Sequence, residues 1–111
     1  MKIFKVFGFL YFLMGALSAG AQTYPSQPIK LIMPFSAGTA SENAVRLLLD
    51  KLSENLKQAI VLDNRPGAGS TLGTEQAARA VPDGHTLLVG YNGPIAINPT
   101  LFSHLPYNAQ R

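Results

Sequence analysis

Three short apolar runs alternate with two helical patterns along the chain, and this alternation constrains the fold more than any other feature. The runs cover residues 29–33, 59–63 and 86–90, and the helical patterns cover residues 42–56 and 71–80. Nearly continuous apolar runs of this length are typical of strands covered on both faces, as in a parallel sheet. Alternating strands and helices with short connections predict a right-handed βαβαβ unit of the α/β class.

The first helical pattern has the clearest periodicity in the chain. Its apolar residues recur three and four positions apart, which places them on one face of a helix. They are Val45, Leu48, Leu49, Leu52 and Leu56. Thr39 and Glu42 predict a capping box, in which the side chain of each accepts a hydrogen bond from the other's backbone N–H. Glu42 and Arg46 predict an ion pair across one turn. Asn98-Pro99 predicts the N-cap and first-turn proline of a short last helix.

A glycine-rich loop, residues 64–73, joins the second apolar run to the second helical pattern. Gly67 and Gly69 lack the Cβ atoms that would keep a ligand away from the backbone, and Ser70 or Thr71 can cap the helix that follows. Because a helix N-terminus presents unpaired N–H groups and partial positive charge, a small anion suits this loop. The same residues are also compatible with a strand-to-helix turn that binds nothing.

A dinucleotide-binding fold is an alternative that this loop raises. The segment from Gly67 to Gly73 is close to the pattern Gly-x-Gly-x-x-Gly, but its last glycine comes one position late. The loop also follows the second apolar run rather than the first. The nucleotide-binding half of an exported oxidoreductase therefore stays a second hypothesis.

The loops that follow the three apolar runs are predicted to meet at one edge of the sheet, where open α/β sheets bind ligands. They cover residues 36–41, 64–70 and 91–94. In sequence they contain no nucleophile with a base, no carboxylate pair and no metal-ligand cluster, and His85 and His104 each stand alone. They offer backbone N–H groups, hydroxyls and an amide. These groups predict a binding protein rather than an enzyme, with no cofactor, no catalytic residue and no metal.

A targeting segment is predicted at residues 1–21. Two lysines precede an apolar run, residues 6–17, and Ala19-Gly20-Ala21 provides a small-residue cleavage site. Export to the periplasm, with cleavage after Ala21, follows from this pattern. A membrane anchor is the alternative, but the run is shorter than the roughly 20 apolar residues that span a bilayer. Of the nine basic residues seven then remain against six acidic ones, and so small a net charge does not predict nucleic-acid binding.

Several blocks of the mature chain, in the same order, resemble the N-terminal part of one family. This is the family of tripartite tricarboxylate transporter substrate-binding receptors, also called Bug receptors. The matching blocks are Tyr24-Pro25-Ser26-Gln27-Pro28-Ile29, Pro34-Phe35, Gly38, Arg46, Asn64-Arg65-Pro66-Gly67-Ala68-Gly69, Gly73, Pro82-Asp83-Gly84, Ile97-Asn98-Pro99 and Leu105-Pro106-Tyr107.

The resemblance implies a fold and a function. Family members are two-lobed receptors of the type II periplasmic-binding-protein-like fold, which capture a small carboxylate or related organic solute and pass it to membrane permease subunits. Residues 22–111 would then be part of the N-terminal lobe. Members of the family are much longer than this chain, so a truncated chain or a non-functional remnant stays open beside the receptor.

The resemblance also implies which loop residues contact the solute. They are Ser36, Ala37, Gly38, Thr39, Ser41, Ala68, Gly69, Ser70, Tyr91, Asn92 and Gly93. Arg65 is expected to pair with Asp63 or Asp83 in preference to the solute. The chain departs from the family's usual pattern at Thr39, at Glu42 and at Ser70-Thr71, so the identity of the solute cannot be taken over from it.

Overall fold

A three-stranded parallel sheet with crossover helices forms the fold in the computed structural model, which describes residues 23–110. The strands are β1 (Ile29–Met33), β2 (Ile60–Asn64) and β3 (Thr86–Leu88), in the order β2-β1-β3. Helix α1 (Ala40–Leu56) connects β1 to β2, and α2 (Thr71–Ala78) connects β2 to β3. The predicted βαβαβ sheet is confirmed. The predicted signal segment lies outside the described residues.

Helical structure resumes after β3 earlier than the sequence predicts. A π-helical turn, Gly93–Ile97, runs directly into a short helix, α3 (Asn98–Leu101). The prediction that Asn98 caps this helix is wrong, because Ile97 and Asn98 both have helical backbone angles and Asn98 makes no capping hydrogen bond. Pro99 does lie in the first turn of α3, as predicted, and the buried Pro94 lies in the first turn of the π-helical segment before it.

The core is centred on β1, the middle strand. Ile29, Ile32 and Met33 are fully buried, and Leu49 of α1 is also buried, with 8% of its surface exposed. The strands are aligned so that Leu31 of β1 lies beside Leu62 of β2 and Leu87 of β3. This arrangement brings the carboxyl ends of all three strands to the same edge.

The outer strands are covered on one face only. Val61 of β2 is 54% exposed and Leu87 of β3 is 44% exposed, so the prediction that every strand is buried on both faces is wrong for these two. The reason is topological: α1 packs on β2, whereas α2 packs on β1 and β3. The crossover from β1 to β2 and the crossover from β2 to β3 run in opposite directions across the sheet. Because both are right-handed, their helices lie on opposite faces.

The apolar face of α1 is only partly used. Of the five apolar residues that the periodicity places on one face, Leu49 is buried, but Leu48 is 61% exposed and Leu52 is 44% exposed. Because α1 rests mainly on the edge strand β2, the sheet beneath it is too narrow to cover the whole stripe. Among residues 23–110, no helix is long and apolar enough to cross a membrane.

Candidate functional site

The loops that leave the three strands meet at one edge of the sheet, which we call the rim. It consists of a first loop (residues 34–41, of which the last two begin α1), a second loop (residues 65–70) and a third loop (residues 89–93). Backbone hydrogen bonds extend the sheet into these loops. The N–H of Arg65 donates to the carbonyl of Met33 at 2.8 Å, and the N–H of Val89 donates to that of Ile32 at 2.9 Å. The predicted convergence of the loops is therefore present.

Ser70 is where the three loops are tied together. Its side chain is in the second loop, and its hydroxyl Oγ donates to the carbonyl of Pro34 in the first loop at 2.9 Å. The same Oγ lies 2.6 Å from the hydroxyl Oη of Tyr91 in the third loop. Tyr91 also packs its ring on Phe35, with 4.7 Å between the ring centroids. Only 7% of Ser70 is exposed, whereas Tyr91 is partly exposed, so Ser70 forms the base of the rim.

The prediction that Ser70 or Thr71 caps α2 is wrong. Ser70 occupies the N-cap position, but its side chain makes no capping hydrogen bond because the hydroxyl points to Pro34 and Tyr91. The carbonyl of Ser70 instead accepts a hydrogen bond from Thr74 Oγ1 at 2.8 Å. The serine thus holds loops together rather than starting a helix.

The second loop has an unusual backbone conformation. Ala68, Gly69 and Ser70 have φ values of 47°, 61° and 70°, a left-handed run in which only glycine is free of steric cost. Each non-glycine residue in this region costs roughly 1–2 kcal/mol. Asn98 holds the run from below: its Nδ2 donates to the carbonyl of Gly69 at 3.0 Å. Sequence reasoning missed this role of Asn98, which is 6% exposed.

Glu42 organises the first loop. The Glu42 N–H donates to Thr39 Oγ1 at 3.2 Å, which is one half of the predicted capping box. The other half differs, because the carboxylate accepts from the N–H of Gly38 at 2.6 Å rather than from that of Thr39. Gly38 has φ +81° and thereby turns its N–H towards Glu42. The N–H of Gly38 is therefore engaged within the protein.

The buried carboxylate of Glu42 is compensated by Arg46. Arg46 Nε donates to Glu42 Oε1 at 2.7 Å, so the predicted ion pair across one helical turn is confirmed. The Arg46 guanidinium and the Gly38 N–H together hold the pKa of Glu42 below its ordinary value of 4.5. The carboxylate thus remains ionised at neutral pH while it is only 2% exposed.

The cations nearest the rim are occupied by partners on the protein. Arg65 Nε lies 2.8 Å from Asp63 Oδ1, which confirms the predicted pairing with Asp63. Arg46 is held by Glu42. Both α1 and α2 begin at the rim, so their N-termini bring partial positive charge and backbone N–H groups to this edge. The arrangement therefore offers a small anion neutral hydrogen-bond donors in preference to a dedicated cationic side chain.

The predicted contact residues differ in how much of each is exposed. Ser36, Ala37, Gly38, Ser41, Ala68, Gly69 and Asn92 are exposed, Thr39, Tyr91 and Gly93 are partly buried, and Ser70 is buried. Most of these residues are therefore exposed at the rim. Two cavities, of about 340 and 320 Å³, lie elsewhere. The first is between α2, β3 and residues 107–109, and the second is beside Tyr24, Asp83 and His85.

His85 lies at the opposite end of the sheet from the rim. Its Nε2 accepts a hydrogen bond from the N–H of Ser26 at 3.3 Å, and its ring packs on Tyr24. Within the described part of the chain, no three His, Cys, Asp or Glu side chains are grouped so that they could hold a metal ion.

Comparison with known proteins identifies the family. The sequence model of the tripartite tricarboxylate transporter family receptor, TctC, matches residues 44–111. The chain belongs to this family. TctC-type proteins are solute-binding receptors rather than enzymes, and two structures that resemble this chain are a periplasmic transporter and the periplasmic binding protein BugD. Membership therefore favours the receptor hypothesis over the nucleotide-binding one.

Individual TctC relatives are similar over most of the chain. Protein BugT of Bordetella pertussis is 38% identical over 93 residues, which is 83% of this chain and 28% of BugT. MatC of Rhodopseudomonas palustris, solved with bound malate, is 34% identical with a TM-score of 0.74, over 79% of this chain and 30% of MatC.

A second R. palustris structure, solved with adipate, is 29% identical with a TM-score of 0.73, over 78% of this chain and 29% of that one. The chain thus spans less than a third of the length of each of these TctC relatives.

Proposed function

We propose that residues 22–111 form part of the N-terminal lobe of an exported receptor for a small carboxylate. The observation that carries this proposal is the rim, where three strand-exit loops are tied together at Ser70 and Tyr91 while backbone groups stay at the surface. Family membership supports the receptor class. Two similar structures hold malate and adipate, which are both dicarboxylates, and this supports the solute class.

The proposed solute contacts are the eleven predicted rim residues, in two roles. Apart from Gly38, the exposed members of the first and second loops, with Asn92, face the solute through backbone N–H groups and hydroxyls. Ser70 supports them from below, because its hydroxyl is already engaged. Gly38 contributes through its turn, since its N–H binds Glu42. Backbone donors around a helix N-terminus are a recurrent way to hold a small anion.

The proposal extends to export and transport. Residues 1–21 are a signal peptide, cleavage after Ala21 releases the chain into the periplasm, and the complete receptor delivers its solute to permease subunits of a tripartite transporter. Export is supported by the basic and apolar pattern of residues 1–21 and by the periplasmic location of the similar binding proteins. Transport is supported by the receptor family alone. Mass spectrometry of the exported chain would overturn the cleavage proposal if the N-terminal residue is not Gln22.

Binding is tested by two-dimensional NMR titration of the exported chain with malate and adipate, because this method detects millimolar affinity. Rim amides, above all those of Ala68 and Gly69, are expected to shift in a saturable way. Gly69→Val should remove these shifts, because a branched side chain at Gly69 would lie where the solute approaches the backbone.

Gly84→Val is the matched control for Gly69→Val. Gly84 also has positive φ, but it lies beside Tyr24 at the far end of the sheet, so this variant should keep the response. Arg65→Ala should cost only stability, since Arg65 pairs with Asp63. Absence of saturable rim shifts with either dicarboxylate would overturn the proposed function for this chain.

A further inference from the structure

The hydrogen bonds at Ser70 fix where the Tyr91 proton goes. A serine hydroxyl carries one hydrogen, and that hydrogen is donated to the carbonyl oxygen of Pro34, which can only accept. The Oγ of Ser70 and the Oη of Tyr91 lie 2.6 Å apart, so one of the two hydroxyls must donate to the other. Since Ser70 has used its hydrogen, Tyr91 is the donor.

Tyr91 therefore presents only lone pairs to anything else that approaches its hydroxyl. A phenol carries a single hydrogen together with acceptor capacity, and the hydrogen is committed to Ser70. A carboxylate oxygen, which is also acceptor-only, would meet lone pairs there and be repelled. A hydroxyl or an ammonium group would be able to donate to Oη.

The hydroxyl of Tyr91 lies within the rim, between the first and second loops. The ring is partly buried against Phe35, and the next residue, Asn92, is exposed. Gly93 lets the Tyr91 side chain pack against the backbone, because a Cβ built on Gly93 would lie only 2.6 Å from the ring atom Cε2 and 2.9 Å from Oη. The acceptor is thus held in place by Phe35 and Ser70 before a solute arrives.

We infer that Tyr91 determines specificity by selecting solutes with a hydrogen-bond donor next to a carboxylate, that is, hydroxy- or amino-carboxylates over plain dicarboxylates. This inference rests on the proposed function, because it assigns a preference to the same rim. Backbone N–H groups of the loops bind the carboxylate, and Tyr91 accepts from the substituent beside it. A hydrogen bond at a partly hydrated site contributes modestly, so the expected preference is about three- to tenfold in Kd.

Three four-carbon dicarboxylates isolate the donor, because they differ only at the second carbon. Succinate carries hydrogen there, malate a hydroxyl and aspartate an ammonium group. NMR titration of the full exported chain should give a Kd for malate, for aspartate or for both that is at least threefold lower than that for succinate. Malate and aspartate separate a hydroxyl donor from an ammonium donor.

Two variants test whether Tyr91 causes the preference. Tyr91→Phe removes the acceptor and should bring the affinities for the three solutes to within twofold of one another. Ser70→Ala leaves the phenol in place but frees its proton, so Oη can donate to a carboxylate. The preference for malate over succinate should then shrink or reverse, an effect that general loosening of the loops would not produce. The spectrum of each variant without solute shows whether it folds.

The outcomes separate this inference from the proposed function. A donor preference that disappears in Tyr91→Phe supports the inference. Equal affinities in the unmodified chain, or a preference that persists in Tyr91→Phe, would overturn the inference and leave the carboxylate receptor standing. No rim response to any of the three would overturn both. If Tyr91→Phe does not fold, the affinities of the unmodified chain and of Ser70→Ala for the three solutes decide whether the inference stands.

Discussion

Gly73→Ala sets two physical effects against each other, and the structure decides which is larger. Gly73 is buried in the first turns of α2, where it faces the first and second loops. A Cβ at this position would lie 2.8 Å from the carbonyl oxygen of Arg65 and 3.1 Å from Pro34 Cβ. Helix propensity alone would make alanine more favourable than glycine by about 1 kcal/mol.

The steric term should exceed this gain. The oxygen that the new Cβ meets belongs to the backbone of Arg65, whose N–H is bonded to the carbonyl of Met33 at 2.8 Å. Neither loop is able to move aside without losing sheet-end hydrogen bonds, and overpacking of this kind costs about 1–3 kcal/mol. We therefore expect Gly73→Ala to destabilise the fold by about 1 kcal/mol net. In a domain of this size that lowers Tm by about 4–8 °C.

Thermal unfolding followed by circular dichroism measures this effect. Ala78→Gly is the control, because Ala78 is an exposed residue at the end of the same helix and reports the propensity term alone. Ala78→Gly should destabilise the fold by no more than about 1 kcal/mol, the loss of helix propensity alone, and should lower Tm correspondingly. A Tm for Gly73→Ala equal to or above that of the unmodified chain would show that α2 does not approach Arg65 and Pro34 as closely as described.

Three further variants probe the rim. Glu42→Gln should lower Tm at neutral pH. Because the folded-state pKa of Glu42 is depressed, the stabilisation that its carboxylate provides is present above the ordinary pKa of 4.5 and is lost as the pH falls through the folded-state pKa. Plotted against pH, the Tm values of the variant and of the unmodified chain should therefore converge in acid. Ala68→Gly should leave stability unchanged or raise it by up to about 1 kcal/mol, since relief of the left-handed φ offsets the greater freedom of glycine in the unfolded chain; a clear loss in denaturant titration would contradict the left-handed assignment. Asn98→Ala should cost about 1–3 kcal/mol in the same titration, because the Gly69 carbonyl loses its donor, and an unchanged midpoint would mean that this hydrogen bond contributes nothing.

The sequence predicted those features of the fold that local patterns determine. The apolar run at residues 29–33 became β1 with the predicted bounds, and the spacing of Glu42 and Arg46 correctly indicated an ion pair. Convergence of the loops followed from the parallel order of the strands, which the alternation of elements already implied. These features depend on residues close together in sequence or on topology.

The internal contacts of the rim could not be predicted in the same way. Ser70 matched a helix cap by its position, yet its hydroxyl reaches Pro34, which is 36 residues away along the chain. Asn98 matched a helix start, yet its amide supports Gly69 across 29 residues. Both misassignments have one cause. Local propensity predicts the hydrogen bond that a side chain makes when no distant group competes for it. In this protein the left-handed run at residues 68–70 brings distant hydrogen-bond partners within reach of these two side chains.

The pairing of polar groups within the rim bears on how tightly the proposed receptor would hold its solute. The groups that would hold an anion most strongly are already paired within the protein: Arg65 with Asp63, and the N–H of Gly38 with Glu42. An arginine side chain adds ion pairing to its hydrogen bonds with a carboxylate, so the engagement of Arg65 within the protein weakens the hold on a carboxylate solute. What remains are neutral donors and one oriented acceptor, Tyr91. A receptor that must release its solute again gains from such a surface, because orientation supplies selectivity without the slow dissociation that a buried ion pair would impose.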